Sequence, residues 1–148
     1  MNILIISPYW HPHIGGVENV ANEQATRLVN RGHAVSVLTA SNVGWSLTKP
    51  MPNLIIESIK SWDLFTRFGI PYPIFHPGIL RALNRNISQN DVMIVHDSLY
   101  LNSLLAVWAG KRQNIRMVLI QHSPKIDYPA PWNLLKKVVD STVANYTI

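Results

Sequence analysis

At 148 residues and 47% hydrophobic side chains, the chain has the size and apolar content of one packed domain. It contains no cysteine, which excludes disulfides and thiolate metal sites. Charged residues are 14% and the net charge is +5. That surplus suits a phosphate-bearing ligand or an anionic surface, or is simply a solvated basic face; with no RNP-like, zinc-finger or helix-turn-helix pattern, nucleic acid is not expected as a partner.

The chain opens on Asn2, Ile3, Leu4, Ile5, Ile6 and Ser7, then Pro8. An unbroken, β-branched apolar run is how a strand buried on both faces reads, so residues 2–7 predict the centre of a parallel sheet. The run lacks a basic start and is too short to be a signal peptide. No apolar run approaches the ~20 residues that span a bilayer. A cytoplasmic protein, peripheral at most to the inner face of a membrane, is the expectation.

A loop follows, and Gly16 opens a helical pattern in which Val17, Val20, Ala21, Gln24, Ala25 and Leu28 recur every three or four residues. Gly32 predicts its C-terminal cap. Residues 34–39 predict a second strand, completing a βαβ unit. A weaker third strand is predicted over 53–59. Residues 61–77 carry Trp62, Phe65, Phe68, Tyr72 and Phe75 among three prolines, which predicts a loop with a short helical turn. The aromatics there suit sugars, a lipid chain or a membrane surface, or else pack under the loop. Further helices are predicted over 78–86, 100–113 and 132–139, with Leu101, Leu104, Leu105 and Trp108 as the apolar face of the second. Strands are predicted over 91–96, 116–121 and 141–148. The fold class is α/β, a single Rossmann-like parallel-sheet domain over residues 1–148.

In an open parallel sheet, ligands bind beyond the carboxyl ends of the strands. Four such ends are polar: Ser7 to Gly16, Thr39 to Asn42, His96-Asp97-Ser98, and Gln121-His122-Ser123. Gly15-Gly16 at a helix start offers free amides and close approach to an anion, or simply shapes a turn. No dinucleotide G-x-G-x-x-G and no P-loop lysine is present, which argues against a nicotinamide enzyme and an NTPase. His122 can exchange a proton with a bound hydroxyl or cap a strand end. His96 and Asp97 form a second rim pair with the same two readings. His11 and His13 lack nearby carboxylates and read as a solvated loop rather than a metal site. No Ser/His/Asp set or carboxylate pair is readable.

Ile5-Ile6-Ser7-Pro8, then Gly15-Gly16-Val17-Glu18, then Leu28, Arg31-Gly32-His33 and Val35 resemble the N-terminal domain of retaining GT-B glycosyltransferases of the family 4 type. Asp91 to Asp97, and Val118 to His122, are similar to later strands of that family. The resemblance implies two Rossmann-like domains facing across a cleft. The N-terminal one mainly holds the acceptor; the C-terminal one mainly holds the nucleotide-sugar. Carried over, Gly15 and Gly16 present amides to the donor diphosphate, and His122 contacts the transferred sugar. His96 and Asp97 line the acceptor side, together with Tyr9, Trp10 and His11. A nucleotide-sugar is implied as substrate, with no cofactor and no metal, and a glycan or lipid-linked molecule as acceptor. The donor-binding domain is not in this sequence, so the expectation is a truncated acceptor-side domain, inactive alone, or one chain of a split enzyme. A non-catalytic phosphate- or nucleotide-binding module is the alternative. A receiver domain is not expected, because the acidic cluster it needs after the first strand is missing.

Overall fold

The computed structural model describes residues 1–13, 15–64, 72–98 and 100–122. In chain order the elements are β1 (Asn2–Ile6), α1 (Gly16–Asn30), β2 (Ala34–Ser41), β3 (Ser46–Met51), β4 (Leu54–Trp62), β5 (Ile74–Phe75), α2 (Ile79–Ser88), β6 (Val92–His96), α3 (Leu101–Arg112) and β7 (Arg116–Ile120). The strands join in the order β3-β4-β2-β1-β6-β7, with β5 paired to β4. Strands β4, β2, β1, β6 and β7 run parallel, while β3 and β5 are antiparallel to β4. The predicted fold class is borne out: a Rossmann-like α/β domain with β1 at the centre. The predicted helix 132–139 and strand 141–148 lie outside the described residues.

Strand β1 is buried on both faces because its side chains feed two cores. Leu4 and Ile6 pack with Leu38, Met93, Val95, Leu83 and Ile79 under α2 and α3. Ile3 and Ile5 pack with Val35, Val37, Ala21 and Ala25 under α1. Each fully buried aliphatic side chain stabilises by about 1.5–3 kcal/mol. Asp91 fastens the strand start, its carboxylate accepting from Asn2 N at 2.7 Å while its own amide donates to Asn2 O at 2.8 Å.

Helix α1 ends as Gly32 predicts. Gly32 sits at φ +84°, its amide donates to Val29 O and that of His33 to Leu28 O, closing a Schellman motif. Its buried residues are Glu18, Ala21 and Ala25; Val20, expected inside, is 46% exposed. Helix α2 buries Ile79, Ala82, Leu83, Asn86 and Ile87, a stripe at helical spacing.

The face predicted for α3 is corrected in part, since Leu105 does pack against the core. Asn102, Ser103, Ala106, Ala109 and Gly110 are buried, while Trp108 is half exposed beneath the Arg112 guanidinium. The small face wins because it lets the helix sit close to the sheet. A Cβ at Gly110 would lie 2.7 Å from Met93 Cε and 2.8 Å from Met117 Sδ.

Two strands escape the sequence pattern. Edge strand β3 is almost wholly exposed, so no alternation marks it. Its register shifts between Thr48 and Met51, around Lys49 and Pro50. The segment predicted as a loop from residue 61 instead carries the end of β4 and the short β5, which pair through Ser61 with Phe75 and Trp62 with Ile74. Phe65 and Phe68 lie outside the described residues. No described helix is long and apolar enough to cross a membrane.

Candidate functional site

Strands β1, β2, β6 and β7 are parallel and in register, so their carboxyl ends form one rim. Side chains alternate along β6 and β7. Ile94 and Ile120 face α1, and two residues further along each strand so do His96 and His122. His96 is fully buried. Its Nδ1 lies 2.7 Å from His122 Nε2, and its Nε2 lies 2.9 Å from Gln24 Oε1 on α1. The two imidazoles are within 5° of parallel with centroids 5.0 Å apart. With the facing nitrogens so close, that separation places the rings edge to edge rather than stacked. Burial, and then the neighbouring His122, lower the His96 pKa to about 4, so the ring is neutral at physiological pH. His122 makes no other hydrogen bond to a described residue.

Asp97 follows at φ +60°, a left-handed conformation that Asp tolerates better than most residues. The turn tucks its side chain inward at 2% exposure, where Gln121 Nε2 donates to Asp97 Oδ1 at 2.7 Å. Gln121 Oε1 in turn accepts from Ser98 N and Ser98 Oγ at 3.1 and 2.8 Å. Gln121 thus clamps the β6 and β7 exits together.

The β1–α1 loop is built on its own polar contacts. Ser7 Oγ donates to Tyr9 O at 2.8 Å. Tyr9 stacks on His13 at 4.2 Å, donates its hydroxyl to Asp63 Oδ1 at 3.1 Å, and meets the edge of Tyr100. Burial and the Asp63 carboxylate push the Tyr9 hydroxyl pKa up, so it stays a donor. Tyr72 stacks on Tyr100, which draws Tyr9, Tyr72 and Tyr100 into one aromatic row. Trp10 packs into the α1-side core, so little of its ring faces outward. His11 is exposed and makes no bond to a described residue. The structure thus pairs His96 with His122 and leaves His11 apart from both.

Gly15 and Gly16 begin α1. Asn19 N is the first helix amide bonded inside the helix, to Gly15 O, which leaves the amides of Gly16, Val17 and Glu18 outside its ladder. A Cβ on Gly15 would run into the Glu18 carboxylate, whereas one on Gly16 meets only open space. Glu18 is buried and pairs with His13 at 2.6 Å. Among the described residues no three His, Cys, Asp or Glu side chains converge on a metal position.

Sequence reasoning missed Gln24 as a polar partner, although its signal was present: an amide inside the apolar stripe of α1. It read Gln121 only as part of a polar strand end, and it missed Tyr100. Thr39 Oγ1 and both side-chain polar atoms of Asn102 are buried with no hydrogen-bond partner among the described residues. Farther out, Trp45 and Trp62 flank His76 at 5.7 and 6.0 Å, and Lys60 lies over Trp62. Both tryptophans and Leu64 are exposed. An open groove of about 730 Å³ lies at the opposite end of the sheet, among Asn2, Ala34, Lys49, Asn53 and Gln89, away from the rim where such sheets bind ligands.

The profile of Glycosyltransferase Family 4 matches residues 14–146. The fold is similar to sucrose-phosphate synthase from Thermosynechococcus elongatus, with TM-score 0.52 and 13% identity over 93% of this chain and 39% of that one. A shorter chain of the same synthase matches with TM-score 0.52 and 13% identity over 97% of this chain and 71% of that one. This chain therefore spans about two fifths of the longer synthase chain. No curated protein matches the sequence. The resemblance of this chain to the N-terminal domain of family 4 glycosyltransferases is thereby borne out.

Proposed function

The chain belongs to glycosyltransferase family 4, and on that premise we propose that it is the acceptor-side half of a retaining transferase moving a hexosyl group from a nucleotide-sugar to a glycan or lipid-linked acceptor. The observation that carries the reading is the His96–His122 pair, a neutral buried imidazole in contact with a half-buried one at the rim. Rim histidines so placed suit contact with a sugar hydroxyl.

Each part of the site has a role in this reading. The amides of Gly16, Val17 and Glu18, outside the helix ladder, receive the donor diphosphate at the positive end of α1, and Gly16, open on its Cβ side, allows close approach. The Glu18 carboxylate, which would repel that anion, packs against Gly15 and is engaged by His13 at 2.6 Å. His122 touches the transferred sugar. Asp97, buried and held by Gln121, supports the acceptor-side rim, where the Tyr9, Tyr72 and Tyr100 row stands. Transfer then rests on positioning and on stabilising the leaving diphosphate, with no metal required. A second domain or partner chain completes the donor site. The exposed Trp45, Trp62 and Leu64 beside Lys60 fit a lipid-linked acceptor, since Trp at a rim with a lysine suits an anionic interface.

The test uses the chain joined to its donor-binding half, supplied with a panel of nucleotide-sugars and glycan or lipid-linked acceptors. His122→Ala is expected to lower kcat by about 10²–10⁴-fold, the range for losing a positioned proton-handling group. Unchanged turnover would remove His122 from the mechanism. Transfer by the isolated chain would overturn the half-site reading.

A further inference from the structure

We infer that Gln24, acting through His96, holds His122 in a single imidazole tautomer, protonated on Nε2 and bare on Nδ1. The argument follows the proton along three side chains. Gln24 Oε1 is an acceptor only, so at 2.9 Å it requires the hydrogen of His96 on Nε2. His96 is neutral, being fully buried and depressed to a pKa of about 4, and a neutral ring carries one N–H. Its Nδ1 is therefore a lone pair. At 2.7 Å from that lone pair, His122 Nε2 must donate. When His122 is itself neutral, its remaining nitrogen, Nδ1, can only accept.

The direction of the whole chain is set at its far end. A Gln24 that presented its amide nitrogen instead would reverse both bonds and make His122 Nδ1 a donor. Gln24 sits between the buried Ala21 and Ala25, and an amide on that apolar face finds its partner in His96. The three residues come from α1, β6 and the exit of β7, so the relay also fixes the helix against the rim. Gln24 is thus a positioning residue, with no contact of its own to substrate. Its value for transfer rests on the role proposed above for His122, whereas the tautomer itself does not.

The experiment is long-range ¹H–¹⁵N correlation spectroscopy of the histidine rings at mildly alkaline pH, where neutral tautomers are distinguished by which nitrogen carries the proton. The wild-type chain is expected to show His122 with a protonated Nε2 and a bare Nδ1. Gln24→Met, which fills the same volume without an acceptor, is expected to give a mixture of both tautomers at His122. His96→Leu removes the middle of the relay and is expected to do the same, so the question stays answerable if one variant does not fold. A wild-type mixture, or a His122 spectrum that Gln24→Met leaves unchanged in a folded chain, overturns the relay. In the complete enzyme Gln24→Met is expected to lower kcat about tenfold with little change in the donor KM, far short of the ~10⁴-fold loss when a triad histidine is locked in the wrong tautomer. A tautomer change with unchanged kcat upholds the relay and refutes the catalytic role of His122 instead.

Discussion

His13 Nδ1 meets Glu18 Oε1 at 2.6 Å, fastening the β1–α1 loop to the first turn of the helix it feeds. The contact explains why the two neighbouring glycines are not equivalent. The Glu18 carboxylate folds back under Gly15 and fills the space a methyl would need; Gly16 faces outward.

The two alanine variants should therefore separate structure from binding. Gly15→Ala displaces Glu18 and is expected to destabilise the chain by about 1–3 kcal/mol, as overpacking does. Gly16→Ala is expected to stay within ~0.5 kcal/mol of the wild type in thermal unfolding. In the complete enzyme, however, it should weaken inhibition by the donor's nucleoside diphosphate, because the methyl stands where the phosphate would approach.

His96 makes stability depend on pH. Its folded pKa of about 4 lies below the ordinary 6.5, so between those values the unfolded chain binds a proton that the folded chain refuses. The stabilisation is complete above pH 6.5 and is lost as pH falls from there to about 4. The loss is on the order of 3 kcal/mol. Urea titrations across that window should show it, and His96→Gln should flatten the slope. An equal slope in the variant would assign the acid sensitivity elsewhere.

Glu57 ties α2 to β4, pairing with Arg85 and accepting from Asn86 Nδ2 at 2.8 Å. Glu57→Ala takes one acceptor from Asn86 Nδ2, which keeps its bond to Ala82 O at 2.9 Å. A loss of about 1–3 kcal/mol is expected by chemical unfolding. Arg85→Ala should cost less, since Arg85 is half exposed and exposed ion pairs contribute little.

Trp45, Trp62 and Lys60 should matter to membranes as well as to folding. Replacing both tryptophans with serine is expected to reduce co-sedimentation with anionic phospholipid vesicles severalfold, at some cost in thermal stability because both half-buried rings also pack on His76. Equal sedimentation of both proteins would remove lipid from the reading of this surface.

The parts legible in the sequence were those whose side-chain pattern answers to one physical demand. Strand β1 must be apolar on both faces, and α1 must present a stripe and stop at a glycine, so both stand out. Strand β3 makes no such demand: Ser46 to Pro50 is solvated on both faces and reads as loop. In α3 the large side chains look like the core, yet the buried face is the small one, because distance to the sheet, not hydrophobicity, decides. The rim histidines were visible as strand ends. Their union was not, since Gln24 lies 72 residues from His96, and His96 26 from His122, and only the sheet order brings them together.

The irregular outer strand has one more consequence. Along β3, Lys49 and Pro50 fall where the pairing slips. An unpaired margin with regular spacing is a template on which a second molecule can zip, the first step toward fibrils. A proline supplies no N–H to such a template, and a lysine there makes stacking like upon like repulsive. The defect in the ladder thus makes this flank a poor template for a second copy of the chain.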